Sequence, residues 1–225
     1  MKRPDLDPAS PAGEASRLVC HWLLSTMVAN ERGVRDNLDP DYLHDFRVAA
    51  RRTRSLLAQM KRVFPPGEAE RYRCEFSWLG SRSGATRDLD VMLLKMPSYV
   101  DALSRAMQSD VSVLVDILKR WQREEHALFV RALDSERYSL LVRQWGAFLE
   151  TPLHPVEGTA GKDHAARPII QVASRRIRKA HRKVLKKGQS IDAEATPKAL
   201  HQMRIPLRPG REPPFVPAAA ARRSR

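Results

Sequence analysis

The stretch that decides the fold is Leu43-His44-Asp45-Phe46-Arg47-Val48-Ala49-Ala50-Arg51-Arg52-Thr53-Arg54. Drawn at about 100° per residue, it forms a helix with two chemically opposite faces. One face collects apolar and small residues suited to a core: Phe46, Ala49, Ala50, Thr53, Leu56, Leu57, Met60 and Phe64. The other face carries His44 and, within about 80° of it, a stripe of arginines: Arg47, Arg51, Arg54 and Arg62. The sequence therefore predicts one amphipathic helix with a buried side and a basic side.

The start and the length of this helix also follow from the sequence. Asp39 followed by Pro40 is a strong start signal, because it combines a capping side chain with proline at the first helical position. The helical pattern continues to Pro65-Pro66-Gly67, which is the expected stop. From His44 to Arg62 the predicted rise is roughly 27 Å at about 1.5 Å per residue. A basic stripe of that length suits an extended polyanion better than one small phosphate group.

The net charge of the chain is concentrated in two short windows. The formal charge is +14, from 40 Lys and Arg against 26 Asp and Glu. Residues 47–62 hold six basic residues and no acid, and residues 175–187 hold eight and no acid. The 26 basic residues elsewhere are balanced by the 26 acids. Such a focused footprint indicates a polyanionic partner.

Length and composition favour a helix-rich globular protein that acts inside the cell. A chain of 225 residues can hold one large domain or two small ones. Cys20 and Cys74 match no metal or redox spacing and are interpreted as reduced thiols of a cytosolic protein. We see no apolar core of signal-peptide type and no stretch long enough to cross a membrane. The expectation is a cytoplasmic protein without a membrane partner.

The fold class predicted from periodicity is all-α. Residues 1–13, rich in Pro, Asp and Ala, are predicted to be a disordered lead-in. No segment shows sustained period-two alternation, which argues against a sheet. Besides the opening helix, apolar spacing predicts helices over residues 14–35, 68–79, 87–97, 110–133, 136–150 and 166–187.

The later part of the chain repeats the design of the opening helix. In the helix predicted over residues 166–187, Ile170, Ile177, Ala180 and Val184 cluster opposite a basic face. That face consists of Arg175, Arg178, Lys179, Arg182 and Lys186. Further on, Thr196-Pro197-Lys198-Ala199-Leu200-His201-Gln202-Met203-Arg204-Ile205 aligns without a gap with residues 39–48, 157 positions earlier. We interpret this as an internal duplication.

The second copy is interrupted after Ile205. The prolines at 206, 209, 213 and 214 forbid continuation of the helix. Residues 206–225 have the low-complexity composition of a disordered tail. A helix start that leads directly into such a tail suggests a truncated or frameshifted reading frame.

These motifs resemble those of the CHAD family, the conserved histidine α-helical domains. The resemblance rests on Leu43-His44-x-x-Arg47-Val48-x-x-Arg51-Arg52-x-Arg54, on Leu79-Gly80 followed by Arg87-Asp88-Leu89-Asp90-Val91, and on Leu200-His201-x-x-Arg204-Ile205. It covers roughly residues 15–205 and implies two pseudo-symmetric helical bundles around a basic channel that binds inorganic polyphosphate. The first repeat would span about 14–150 and the incomplete second repeat about 164–205. The second bundle would therefore be incomplete.

The resemblance implies which motif residues line the channel. They are His44, Arg47, Arg51, Arg52 and Arg54 from the first repeat, with His201 and Arg204 from the second. The basic faces described above add the remaining candidates: Arg62, Arg175, Arg178, Lys179, Arg182 and Lys186. We expect non-enzymatic binding of polyphosphate, with targeting to polyphosphate granules or sensing of them, and no cofactor.

Two other functions stay open at this stage. The same basic faces suit nucleic acid, and a metal-dependent phosphohydrolase or an accessory to one is a weaker alternative. No Walker-type loop and no carboxylate cluster for metal-assisted phosphoryl transfer is present in the sequence. His44 is either a phosphate contact or a capping residue of the first helical turn, and a metal role for His44 and His201 has no ligand set to support it. We therefore predict no catalytic residue and no metal ligand.

Overall fold

The fold is all-helical, as the sequence predicts. A computed structural model describes residues 3–60, 62–151 and 164–189, and these ranges contain no β-strand. Their helices are α1 (Ala12–Arg35), α2 (Pro40–Gln59), α3 (Pro66–Arg82), α4 (Gly84–Asp101), α5 (Arg105–Leu133), α6 (Glu136–Glu150) and α7 (Ile169–Gly188). The motif predicted over residues 196–205 and the tail predicted over residues 206–225 lie outside the described residues.

The start of α2 is the one that the sequence predicts. The Asp39 side chain accepts a hydrogen bond from the Asp41 amide at 2.7 Å, and Pro40 occupies the first turn. Its buried face is also confirmed and consists of Leu43, Phe46, Ala49, Ala50, Thr53 and Leu57. These side chains enter a core shared with α1, α3, α5 and α6, in which the Phe46 and Phe129 rings meet edge to face at 5.8 Å. Burial of this apolar face is what holds α2 in place.

The end of α2 differs from the prediction, and this removes Arg62 from the basic stripe. The helix ends at Gln59, six residues before Pro65. Arg62 has φ of 68°, in the left-handed region, and its carbonyl accepts from the His164 amide at 2.8 Å. Val63 and Phe64 are buried in the core, so the chain must leave the helix axis to turn them inward. The basic stripe on α2 therefore extends from His44 to Arg54.

Two predicted helix stops are helical in the structure. Gly80 lies within α3, and the break between α3 and α4 is confined to Ser83. Pro97 lies within α4, which continues to Asp101. Because Pro97 is exposed near the end of α4, its ring is accommodated on the solvent side.

The chain before α1 pairs with the segment that precedes α7. Residues 1–13 are predicted to be disordered, yet backbone hydrogen bonds join the described part of them to residues 164–170. The Ala12 amide donates to the Arg167 carbonyl at 2.7 Å, and the Ile169 amide donates to the Ser10 carbonyl at 2.8 Å. Composition alone missed this pairing, because the partner segment lies more than 150 residues away.

The chain divides into two units, Met1–Val172 and Ala173–Arg225. Helices α1 to α6 belong to the first unit, together with the first turn of α7, where Val172 is buried. The remainder of α7 is the described part of the second unit. No helix in the described ranges is long and apolar enough to cross a membrane.

A cluster of polar side chains ties α1 to α6 at the edge of the core. Glu31 accepts hydrogen bonds from the Arg35 Nε at 2.8 Å and from the Tyr138 hydroxyl at 2.7 Å. Arg35 also donates to the Leu133 carbonyl and to the Asp134 carboxylate. Burial, together with Glu31, raises the pKa of the Tyr138 hydroxyl above its ordinary value of 10.0, so it stays a donor at neutral pH.

We expect Tyr138→Phe to lower the free energy of unfolding by about 1–2 kcal/mol, because Glu31 loses a donor at a site shielded from water. Urea denaturation followed by far-ultraviolet circular dichroism measures this change. Tyr99→Phe, at an exposed position of α4, is the matched control and is expected to change stability by less than about 0.5 kcal/mol. Equal effects of the two substitutions would contradict the role of this cluster.

Candidate functional site

The basic residues of α2 divide into an exposed group and a half-buried group. His44, Arg51 and Arg52 are exposed, whereas Arg47 and Arg54 are half-buried against α3. No acidic residue lies between positions 46 and 67, so this edge of α2 is cationic. The exposed group is available to an external ligand, whereas the half-buried group also makes contacts within the protein.

Arg47 joins α2 to the α3–α4 junction. Its Nη1 donates to the Gly80 carbonyl at 2.9 Å and to the Ser83 hydroxyl at 2.5 Å. Burial lowers the pKa of Arg47 below its ordinary value; the charge of Asp88 opposes this change, and the neighbouring arginines add to it. The guanidinium remains charged at neutral pH, because the arginine pKa is so high. Arg47 is thus a structural residue in addition to being a candidate ligand.

Arg54 makes a comparable contact about one turn earlier in α3. Its Nη1 donates to the Ser77 hydroxyl at 3.2 Å. Ser77, Gly80 and Ser83 lie at intervals of three residues, which places small side chains on one side of α3. A methyl group added at Gly80 would lie 3.8 Å from the Arg54 Nη1, in ordinary contact. This small-residue row gives the two arginines polar partners and orients them along α2.

A second arginine contact runs in the opposite direction, from α4 to α2. Arg87 Nη1 donates to the Pro40 carbonyl, in the first turn of α2, at 2.9 Å. Arg47 and Arg87 therefore connect α2 to the α3–α4 junction from both sides. Arg87 belongs to the Arg87-Asp88-Leu89-Asp90 motif, so this motif contributes to the packing of α4 on α2.

Asp90 is buried beneath this junction. Its Oδ1 accepts from the Gln122 Nε2 of α5 at 3.0 Å, and Gln122 also contacts Asn37 in the turn before α2. Burial raises the pKa of the Asp90 carboxyl above its ordinary value of 3.8, while the hydrogen bond from Gln122 and the charge of Arg87 act against that rise. Asp90 thus links α4 and α5 to the turn that precedes the basic helix.

Two histidines outside α2, His21 and His126, make contacts between helices of the first unit. His126 Nε2 donates to the Val34 carbonyl at 2.7 Å, at the end of α1. His21, on α1, lies 3.1 Å from Glu150 of α6. Across the described ranges, no group of three or more His, Cys, Asp and Glu side chains is arranged to hold a metal ion.

Helix α7 carries the second set of predicted site residues. Its basic side chains Arg175, Arg178, Lys179, Arg182 and Lys186 are all exposed. The opposite face is less buried than predicted: Ile170, Ile177 and Ala180 are exposed and Val184 is half-buried. The spacing of apolar residues predicts which side of a helix is apolar. Whether that side is buried depends on whether another helix packs against it, which spacing does not predict. His201 and Arg204 lie outside the described residues.

Sequence reasoning missed Ser77, Gly80 and Ser83 as partners of the arginines. It interpreted residues 80–84 as a helix break, because glycine and serine are common at such breaks. The available signal was the three-residue spacing of small side chains along α3, which is typical of a close contact between helices.

A CHAD domain family model matches residues 21–211, and the chain therefore belongs to the CHAD domain family. The crystal structure of the CHAD domain from the plant Ricinus communis has a TM-score of 0.70 at 25% identity, covering 91% of this chain and 65% of that chain. PptA from Streptomyces chartreusis has a TM-score of 0.63 at 16% identity, covering 88% of this chain and 72% of that chain, and supports the fold alone.

Two curated relatives come from Mycobacterium tuberculosis. They are uncharacterized proteins of strains CDC 1551 / Oshkosh and ATCC 25618 / H37Rv, each 28% identical to this chain over 199 residues. The alignment covers 88% of this chain and 38% of each relative. The chain thus spans less than half the length of the curated relatives it matches.

We expect Arg47→Ala to lower the free energy of unfolding by about 1–3 kcal/mol, because the Gly80 carbonyl and the Ser83 hydroxyl lose a charged donor. Arg51→Ala removes an exposed arginine of the same helix and is expected to change stability by less than about 0.5 kcal/mol. Urea denaturation of both variants tests whether Arg47 stabilises the fold and Arg51 does not. A destabilisation by Arg51→Ala as large as that by Arg47→Ala would contradict it.

We expect Asp90 to make stability fall as the pH rises. Below the ordinary pKa of 3.8, the carboxyl is protonated in both the folded and the unfolded state. As the pH rises through the raised folded-state pKa, the unfolded state ionises more readily and folding loses free energy. Asp90→Asn removes this titration and keeps an acceptor for Gln122.

Thermal unfolding of the parent and of Asp90→Asn between about pH 4 and pH 7 measures the difference in slope. The stability of Asp90→Asn relative to the parent is expected to increase over this range. Asp90→Ala is expected to be less stable than Asp90→Asn at every pH, because Gln122 then lacks its acceptor. Parallel curves for the parent and Asp90→Asn would rule out the raised pKa.

Proposed function

We propose that this protein binds inorganic polyphosphate without chemical turnover, through the basic edge of α2. The observation that carries the proposal is the arginine run of residues 46–59 of α2, which hold no acid: Arg51 and Arg52 are exposed, and α3 orients Arg47 and Arg54. His44 is exposed one turn before this run, next to Asp45. Membership of the CHAD domain family supports polyphosphate as the ligand, because CHAD domains are linked to polyphosphate.

The chemistry of the edge fits a chain of phosphate groups. Guanidinium groups form paired, charge-assisted hydrogen bonds with phosphate oxygens. From His44 to Arg54 the helix rises about 15 Å, so the cations are arranged in a row rather than around one point. A linear polyanion contacts several of them at once, and release of its counterions supplies much of the binding free energy.

We propose a second set of contacts from the later part of the chain. The exposed cations of α7 (Arg175, Arg178, Lys179, Arg182 and Lys186), together with His201 and Arg204, would contribute to the same ligand. Two pseudo-symmetric bundles around a basic channel are the arrangement that this proposal requires. Whether the second repeat is truncated or frameshifted is a separate prediction, tested by resequencing the locus and examining the other reading frames.

The proposed biological role is attachment to polyphosphate granules in the cytoplasm or sensing of them. Because the chain spans only part of the length of its curated relatives, this role belongs to the proposal rather than to the comparison.

Nucleic acid is the second candidate ligand, because the same exposed arginines can neutralise any phosphate backbone. The aromatic side chains argue against it. Four of the largest, Phe46, Tyr72, Phe129 and Trp145, are buried in the core, where they cannot stack on bases. Base stacking is a main source of affinity for single strands. On α2 the exposed aromatic side chain is Tyr42, and the exposed Tyr99 and Trp121 lie on α4 and α5 instead.

We expect Arg51→Glu/Arg52→Glu to weaken binding of long-chain polyphosphate at least about tenfold and to reduce the slope of log affinity against log salt. Fluorescence anisotropy with end-labelled polyphosphate at several salt concentrations measures both quantities. Arg32→Glu/Arg143→Glu is the matched control, because it makes the same charge change at exposed positions of α1 and α6. Equal losses for both double variants would contradict the assignment of the site to α2.

Competition separates polyphosphate from nucleic acid and from an enzyme. Unlabelled polyphosphate is expected to displace single-stranded RNA at lower phosphate concentration than RNA requires to displace polyphosphate. The reverse order would favour the nucleic-acid function. Phosphate release from polyphosphate with added divalent metal, abolished by His44→Ala, would favour the phosphohydrolase.

A further inference from the structure

The long helix α5 presents an unpaired apolar stripe at heptad spacing. Met107, Leu114, Trp121 and Leu128 follow one another at intervals of seven residues. Their exposed fractions are 54%, 46%, 49% and 49% respectively. Single exposed apolar residues are ordinary, whereas four large ones at one position of successive heptads form a continuous apolar line along the helix.

The α4–α5 hairpin around this stripe has little core of its own. Among the described side chains of residues 91–117, Met96 alone is buried. Met92 and Tyr99 of α4 are exposed as well. A pair of helices does not bury enough apolar surface by itself, and packing on a further helix is the usual solution.

The charges along the stripe favour a second copy of α5 as the partner that packs on it. Residues 107–128 hold four acids and three bases, a net charge of −1 in a chain of net charge +14. Polyphosphate and anionic lipid therefore have no electrostatic attraction to this surface, unlike the edge of α2. Two copies of the chain can approach here without the repulsion that opposes contact elsewhere.

The order of these charges along α5 also favours one relative direction of the two paired helices. Residues 107–117 hold two acids and no base, whereas residues 118–128 hold three bases and two acids. Antiparallel pairing lays the acidic half of one helix along the basic half of its partner, while parallel pairing brings the two acidic halves together. A two-fold axis perpendicular to α5 produces the antiparallel arrangement, whereas one parallel to α5 would produce the parallel arrangement.

We propose that the chain forms a two-fold symmetric dimer in which the α5 stripes of two copies pair antiparallel. The stripe rises about 32 Å, and a helix with its side chains is about 10 Å wide. Pairing therefore buries about 320 Å² on each copy, or about 640 Å² in total, which is below the size of stable specific interfaces. The dimer is accordingly weak and depends on protein concentration. This inference does not depend on the proposed ligand of α2.

Sedimentation equilibrium of the full chain, without polyphosphate and over about two decades of concentration, tests the dimer. We expect a reversible monomer–dimer equilibrium in the parent. Leu114→Glu places a charge in the centre of the stripe and is expected to raise the dissociation constant at least about tenfold. Leu18→Glu is the matched control, because Leu18 is 48% exposed on α1 and lies away from the stripe, and it should leave the equilibrium unchanged.

Leu114 and Leu18 are both about half exposed, so we expect both variants to remain helical. Circular dichroism of both variants verifies this. A parent that remains monomeric at every concentration would overturn the proposal. A dimer that is insensitive to Leu114→Glu, or equally sensitive to Leu18→Glu, would overturn it as well. Co-sedimentation with neutral phosphatidylcholine vesicles, lost in Leu114→Glu, would instead assign the stripe to a lipid surface.

Discussion

The contact on which the basic face depends is the pair of hydrogen bonds from Arg47 to the Gly80 carbonyl and the Ser83 hydroxyl. The Gly80 carbonyl lies near the end of α3, where it lacks a continuing helical donor, and the guanidinium supplies one. Arg87 makes the converse contact with the Pro40 carbonyl. The two arginines hold α2, α3 and α4 in one arrangement, and the orientation of the exposed cations on α2 follows from it.

This arrangement separates two uses of arginine on a single helix. Arg47 and Arg54 lie against the small residues of α3, where their planar groups have polar partners. Arg51 and Arg52 face solvent, where hydration keeps a high density of positive charge tolerable. The side chains that would contact a phosphate chain are carried by a rigid helix, so little backbone conformational freedom would be lost on binding. The proposed site is thus preorganised by contacts that are themselves not exposed.

Much of the fold could be predicted from the sequence because its signals are local. The Asp39 cap, Pro40 and the 3.6-residue apolar period predict α2 and its buried face, and α6 was predicted with the bounds 136–150 that the structure has. Predictions that required distant partners were less accurate. Arg62 left the stripe because Val63 and Phe64 are drawn into the core, and Gly80 and Pro97 remained helical where local rules indicated a stop. The apolar residues of α7 were correctly predicted to share one face, but most of that face is exposed in the structure.

The sequence by itself determined the helical class, the family motif and the basic character of the edge of α2, because periodicity, capping and charge are properties of neighbouring residues. Tertiary structure alone decided which of those arginines face solvent and which are held by α3. It also decided where α2 ends and that the stripe on α5 is exposed in the part of the chain that the structure describes. The physical reason is that burial and hydrogen bonding depend on contacts between residues far apart in the chain, such as Arg47 with Ser83 and Asp90 with Gln122.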